Sequence, residues 1–149
     1  MNYTLHTLKR ALQLDTATML QIFNIANDKI TLEDVQDALK DQKQEGFVTL
    51  SDEGLLLFLE GLIIYKRGGE LDLKIAKNFH LTNNMILKKL RVALKLQDED
   101  LIKIFSSQEK EVKKSELTAF FRKEGHKNYR PLSDKMLRQF LRGLEPFYA

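Results

Sequence analysis

Cysteine is missing from this chain, which removes disulfides, thiol catalysis and thiolate metal sites together. Proline occurs only twice, and no stretch is of low complexity. No apolar run is long enough to cross a bilayer, because the most apolar one, Leu55 to Tyr65, is short and interrupted by Glu60. The opening Met1-Asn2-Tyr3-Thr4 shows no basic region ahead of an apolar stretch. No signal peptide is therefore expected, and a cytoplasmic protein without membrane contact is. Nor does any window sustain β alternation; Phe47-Val48-Thr49 is at most a short extended piece.

What is present is a gapless internal repeat. Asn2 to Leu62 aligns with Asn84 to Leu144 at a constant offset. Leu5, Leu8, Ala11, Leu12 and Leu14 recur as Leu87, Leu90, Ala93, Leu94 and Leu96, and Ile22-Phe23 recurs as Ile104-Phe105. Leu50-Ser51-Asp52, Phe58-Leu59 and Gly61-Leu62 recur as Leu132-Ser133-Asp134, Phe140-Leu141 and Gly143-Leu144. One supersecondary unit is built twice. Units of this size are marginal alone, so a shared core is expected, and an apolar fraction of 43% can supply it.

Each copy reads as four short helices. Leu5, Leu8, Ala11 and Leu12 make one apolar face. Asp15 can cap a second helix carrying Met19, Leu20, Ile22 and Phe23, and Thr31 with Asp34 forms a capping box for a third. Phe47 anchors the polar loop from Asp41 to Gly46. Ser51 then caps a fourth helix that Gly68-Gly69 stops. The second copy gives Leu87 to Leu96, Glu99 to Phe105, Glu116 to Lys123, and a helix from Ser133 ended by Pro146. Leu73, Ile75-Ala76 and Phe79 suggest a short linking helix lying on the protein. The expected fold is all-α: two tandem four-helix repeats, residues 1–68 and 84–149, joined by the segment 69–83 and packed with pseudo-two-fold symmetry.

The fourth helix of the first copy is apolar nearly all round, whereas its counterpart has Arg138-Gln139 for Leu56-Leu57 and Glu145-Pro146 for Ile63-Ile64. Leu56, Leu57, Ile63 and Ile64 therefore either pack on the second repeat or form a partner or homodimer surface. Gly61 and Gly143 point to close helix approach, since glycine inside a helix otherwise costs about 1 kcal/mol against alanine.

Catalytic signals are weak. His6, His80 and His126 contain no pair four residues apart, and neither His6 nor His126 recurs in the other copy. Glu33, Asp34, Asp37 and Asp41 fall on the polar side of a helix, and Asp98-Glu99-Asp100 opens one, where negative charge suits the dipole. N-capping accounts for both Ser51-Asp52 and Ser133-Asp134. Gly68-Gly69 lacks the lysine and further glycines of a phosphate loop. No catalytic residue, metal or cofactor is expected.

Charge is the exception. Residues 1–68 carry seven Lys/Arg against ten Asp/Glu, and residues 84–149 carry fifteen against nine. The halves attract each other, or the second half meets an anionic partner. Lys88, Arg91 and Lys95 have the spacing of one helix face, as do Lys135, Arg138 and Arg142. The loop between adds Lys127, Tyr129 and Arg130 beside His126 and Asn128. Such cations hold phosphate backbones, and an aromatic can stack on an unpaired base. The first copy has His6, Lys9 and Gln13, then Glu53, Leu56 and Glu60, in the two helical sets, so the shared fold does not require the basic character.

Four groups of residues resemble the YehS-like bacterial family of unknown function, DUF1456. They are Glu45-Gly46-Phe47; Phe58 to Ile63 with Lys66-Arg67-Gly68; Asn83-Asn84 with Leu87 to Arg91; and His126 to Arg130 with Leu137 to Leu144. The resemblance covers nearly the whole chain and its two-copy layout. It implies a small bacterial cytoplasmic protein of two related domains, and no activity. The expected function is a non-enzymatic protein-binding or adaptor module, with nucleic-acid binding through the basic face of the second repeat as the alternative.

Overall fold

The computed structural model describes residues 1–149 and contains eight helices and no strand. The first repeat holds α1 (Asn2–Ala11), α2 (Thr16–Ala26), α3 (Leu32–Ala38) and α4 (Asp52–Arg67). The second holds α5 (Asn83–Leu94), α6 (Asp98–Ser106), α7 (Lys114–Phe121) and α8 (Asp134–Tyr148). Local chemistry sets the starts. Asp15 accepts the Thr18 N–H, Ser51 accepts that of Gly54, and Ser133 accepts that of Met136. Thr31 and Asp34 form the full reciprocal box. Each cap satisfies a donor that the helix itself leaves unpaired.

Packing follows the repeat. α4 lies against α2 and α5, while α8 lies against α6 and α1. Exchanging the repeats turns the α4–α5 contact into the α8–α1 contact, so the two units are joined by a pseudo-two-fold pair of helix contacts. All 31 buried core side chains form one cluster drawn from both repeats, which makes the fold a single cooperative body. Phe23 meets Phe58 in a tilted contact with ring centroids 4.9 Å apart, and Phe105 meets Phe140 in the same way at 5.7 Å. Gly61 and Gly143 let α4 and α8 approach α2 and α6 so closely that an added Cβ would collide with the carbonyl oxygen of Ile22 or Ile104.

An asparagine ties each unit together. The Asn2 amide donates to the carbonyls of Ala38 (3.0 Å) and Val48 (2.9 Å), and its oxygen accepts the Leu50 N–H (2.8 Å). Asn84 does the same with Phe120 (3.0 Å), Arg130 (2.9 Å) and Leu132 (2.8 Å). One side chain thus satisfies three backbone groups that lie outside regular ladders.

Two expectations need correction. Residues 68–82 form no helix. Gly68, Gly69 and Asn78 have positive φ, while Leu73, Ile75 and Phe79 sit half-buried on the core, so the segment is a strap pinned at intervals. Pro146 does not end α8, which continues to Tyr148. The proline lacks the N–H that would bond the Arg142 carbonyl, but only two helical residues follow it, and Phe147 beyond it packs on the core and edge-on to Tyr148.

The apolar face of α4 is covered in part. Leu56 is buried; Leu57, Ile63 and Ile64 are half-buried, with Ile63 against the core. No helix is long and apolar enough to cross a membrane.

Candidate functional site

A groove of about 440 Å³ opens in the second repeat between α5, the end of α7 and the loop that follows it. Its construction begins with Thr82, whose hydroxyl accepts the Met85 N–H and starts α5 so that Met85 and Lys88 face the groove. α7 stops at Phe121. Arg122 adopts extended backbone, and Gly125, with φ of 93°, lets the chain turn back. The Tyr129 N–H then bonds the His126 carbonyl, and the Arg130 N–H bonds that of Ala119. Asn84 holds the two walls together through its bonds to Phe120 and Arg130.

The result brings Lys88, Arg122, Lys123 and Tyr129 to one opening, with Phe121 beside them. None of the three cations has a carboxylate within 4 Å, although Glu124 also lines the groove. Partial burial, and then the negative charge of Glu124, raise the Tyr129 pKa above the ordinary phenol value. The groove offers unpaired positive charge, an aromatic surface and a phenol.

The other cations singled out in the sequence go elsewhere. Arg91 is held by Asp98 at 2.9 Å and lies over the Phe121 ring at 4.7 Å. Arg130 pairs with Glu116 at 3.1 Å and lies 5.8 Å from the Phe120 ring centre. Lys95 follows the end of α5 and lines a different cavity. Arg138 covers the Tyr3 ring at 5.3 Å, and the Arg142 Nε donates to the Tyr3 hydroxyl at 3.4 Å. Those two serve the contact between repeats. Lys127 and Lys135 are exposed and unpaired but do not line the groove.

Arg122 and Lys123 were missed by sequence reasoning, which carried α7 through Lys123 and so placed both on a helix flank. The run Phe120-Phe121-Arg122-Lys123, two aromatics followed by two cations ahead of a glycine, was the available signal. Two histidines and the two cap serines are engaged within the protein. His80 Nδ1 lies 3.1 Å from Asp52, and His126 Nδ1 accepts the Asn128 N–H at 3.0 Å. Both serine hydroxyls are engaged as helix caps. No three His, Cys, Asp or Glu side chains converge as a metal site would require.

The family model described as "Protein of unknown function (DUF1456)" matches residues 1–68 and again residues 83–148. The chain belongs to the DUF1456 family. The two matched segments coincide with the two structural repeats, so the family model describes one four-helix unit that occurs here twice. The chain is 35% identical over 144 residues to "Uncharacterized protein YehS" of Escherichia coli (strain K12), covering 96% of this chain and 92% of that protein. No solved structure matches.

Proposed function

We propose that this DUF1456 protein is a non-enzymatic binding module whose second repeat holds single-stranded nucleic acid in the α5–α7 groove. The observation that carries the reading is the meeting of Lys88, Arg122 and Lys123, all without carboxylate partners, around the half-buried Tyr129. Lysine and arginine neutralise phosphates, and an aromatic face accepts an unstacked base of any identity. An aromatic wall suits splayed bases better than a duplex. The protein-adaptor reading rested on Leu56, Leu57, Ile63 and Ile64. Leu56 is buried and Ile63 packs on the core, which leaves that reading the half-buried Leu57 and Ile64, and we place nucleic acid ahead of it.

The test is fluorescence anisotropy with labelled mixed-sequence single-stranded RNA, single-stranded DNA and duplex DNA across a salt series. Three phosphate contacts predict a slope of about −2 in log K against log salt for single strands. Reversing Lys88, Arg122 and Lys123 to glutamate should abolish binding, and Tyr129→Leu should weaken it by about 1–3 kcal/mol. Absence of binding at low salt, or binding indifferent to these changes, rejects the reading and returns the search to protein partners.

A further inference from the structure

Between the two repeats lies a second, half-open cavity of about 380 Å³, whose lining falls into repeat-equivalent pairs. Leu12 matches Leu94, Gln13 matches Lys95, Lys66 matches Tyr148, and an alanine precedes each leucine. A lining that maps onto itself when the repeats are exchanged must surround the pseudo-two-fold axis. Symmetry supplies the shape, and the chemistry differs between the halves: an amide and a cation from one, a cation and a phenol from the other.

Three observations give this axial cavity a ligand class. First, Gln13 and Lys95 both adopt left-handed backbone with φ of 54°. That position after a helix strongly favours glycine or asparagine, because a larger side chain is strained there. Both copies keep a long donor-bearing side chain at this cost, and both side chains line the same cavity. Departures from local preference of this kind concentrate at functional sites. Second, Lys66 and Lys95 have no carboxylate within 4 Å. Third, α1, α4, α5 and α8 all end at or beside this cavity. No donor within the protein bonds the carbonyls of Ala11, Leu12, Ala93 or Leu94. The rim therefore presents cations for an anionic group and unpaired carbonyls for N–H donors, over an apolar floor of Leu12 and Leu94.

We infer that the axial cavity binds a small organic anion that also carries N–H donors, the chemistry shared by nucleotides and amino acids. Lys66 and Lys95 take the anionic group, the helix-end carbonyls take the donors, and the ligand clamps one repeat to the other. This site stands apart from the α5–α7 groove, and neither depends on the other.

The experiment is a titration of isotope-labelled full-length protein, followed by amide NMR, with four probes. Adenosine 5′-monophosphate and phenylalanine carry both features; adenosine lacks the anion and phthalate lacks the donors. At least one of the first two should shift the amides of Gln13, Ala93 and Lys95 saturably, and which one does so separates the phosphate source from the carboxylate source. Adenosine and phthalate should bind about tenfold more weakly or worse, the loss expected for one missing charged or multiply bonded contact. Lys66→Gln should lower affinity by about tenfold. Lys95→Gly should relieve the left-handed strain, raising the unfolding midpoint while removing binding, so a folding defect cannot imitate the result. The inference is overturned if neither bifunctional probe binds saturably, if adenosine or phthalate binds as well, if Lys95→Gly retains binding, or if the shifts map to Lys88 and Tyr129.

Discussion

The loop after α3 and the loop after α7 hang from equivalent asparagine clasps, Asn2 and Asn84, yet they treat charge differently. In the first repeat Lys40 is paired with Asp37 at 2.8 Å, and Asp41 accepts the Lys43 N–H at 3.0 Å. In the second repeat the equivalents of Lys40 and Asp41 are Arg122 and Lys123, and Ala119 stands where Asp37 supplied the partner. Tyr129 replaces Phe47, and Lys88 replaces His6. Lys40 is neutralised by a neighbour, and Arg122 and Lys123 are not. The contacts that define the unit occur in duplicate, while the charges around them differ between the copies. A difference that the shared fold does not require is where a function separate from folding is to be sought.

Equivalence of the two frames can be broken by substitution, most strongly at the helix crossings. Gly61→Ala and Gly143→Ala each drive a methyl group into a backbone carbonyl that cannot yield cheaply, with an expected loss of about 3 kcal/mol in urea unfolding. If one of them is tolerated, the two crossings are not equivalent and the pseudo-symmetry is only approximate there.

The asparagine clasps come next. Asn84→Ala should cost about 2–3 kcal/mol, because it leaves three backbone groups of the second unit unpaired in a buried setting. Asn2 is half-buried, and water can replace part of its network, so Asn2→Ala should cost about 1–2 kcal/mol. Equal losses would show that burial does not distinguish the clasps.

The ion pairs across the repeat contact offer the finest comparison. Glu60 with Lys89 joins α4 to α5, and the side chains are only 20% and 23% exposed. Arg10 with Glu145 joins α1 to α8, and these are 59% and 49% exposed. Glu60→Gln should therefore cost about 1 kcal/mol, and Glu145→Gln no more than a few tenths after solvent screening. Salt should erase the second effect first. A reversed order would mean that the α8–α1 side carries more of the coupling than its exposure indicates.

Much of the architecture was legible because its signals are local. Ser51, Ser133, Asp15 and the Thr31–Asp34 box announce helix starts through groups within three residues, and all were found in those roles. The same logic failed for Leu73 to Phe79, where apolar residues at mixed spacing mark a pinned strap and not a helix face. It also failed at Pro146, where position in the last turn outweighed the residue's breaking tendency. The candidate site was half legible: Lys88 and Tyr129 were named in advance, while Arg122 and Lys123 were hidden by a helix drawn two residues too long.

Sequence alone determined the helices, their caps and the doubling of the unit, because those depend on periodicity and on partners a few residues away. Tertiary structure decided which positive charges remain free. Arg91 is neutralised by Asp98, Arg130 by Glu116, and Arg138 and Arg142 are occupied by Tyr3 from the far end of the chain. It also created the cavity where Gln13 meets Lys95, two positions whose equivalence is visible in the repeat but whose convergence is not. The physical reason is range: caps act over one turn, whereas charge pairing and cavity lining depend on distances in space that only the packing of α4 on α5 and α8 on α1 brings into being.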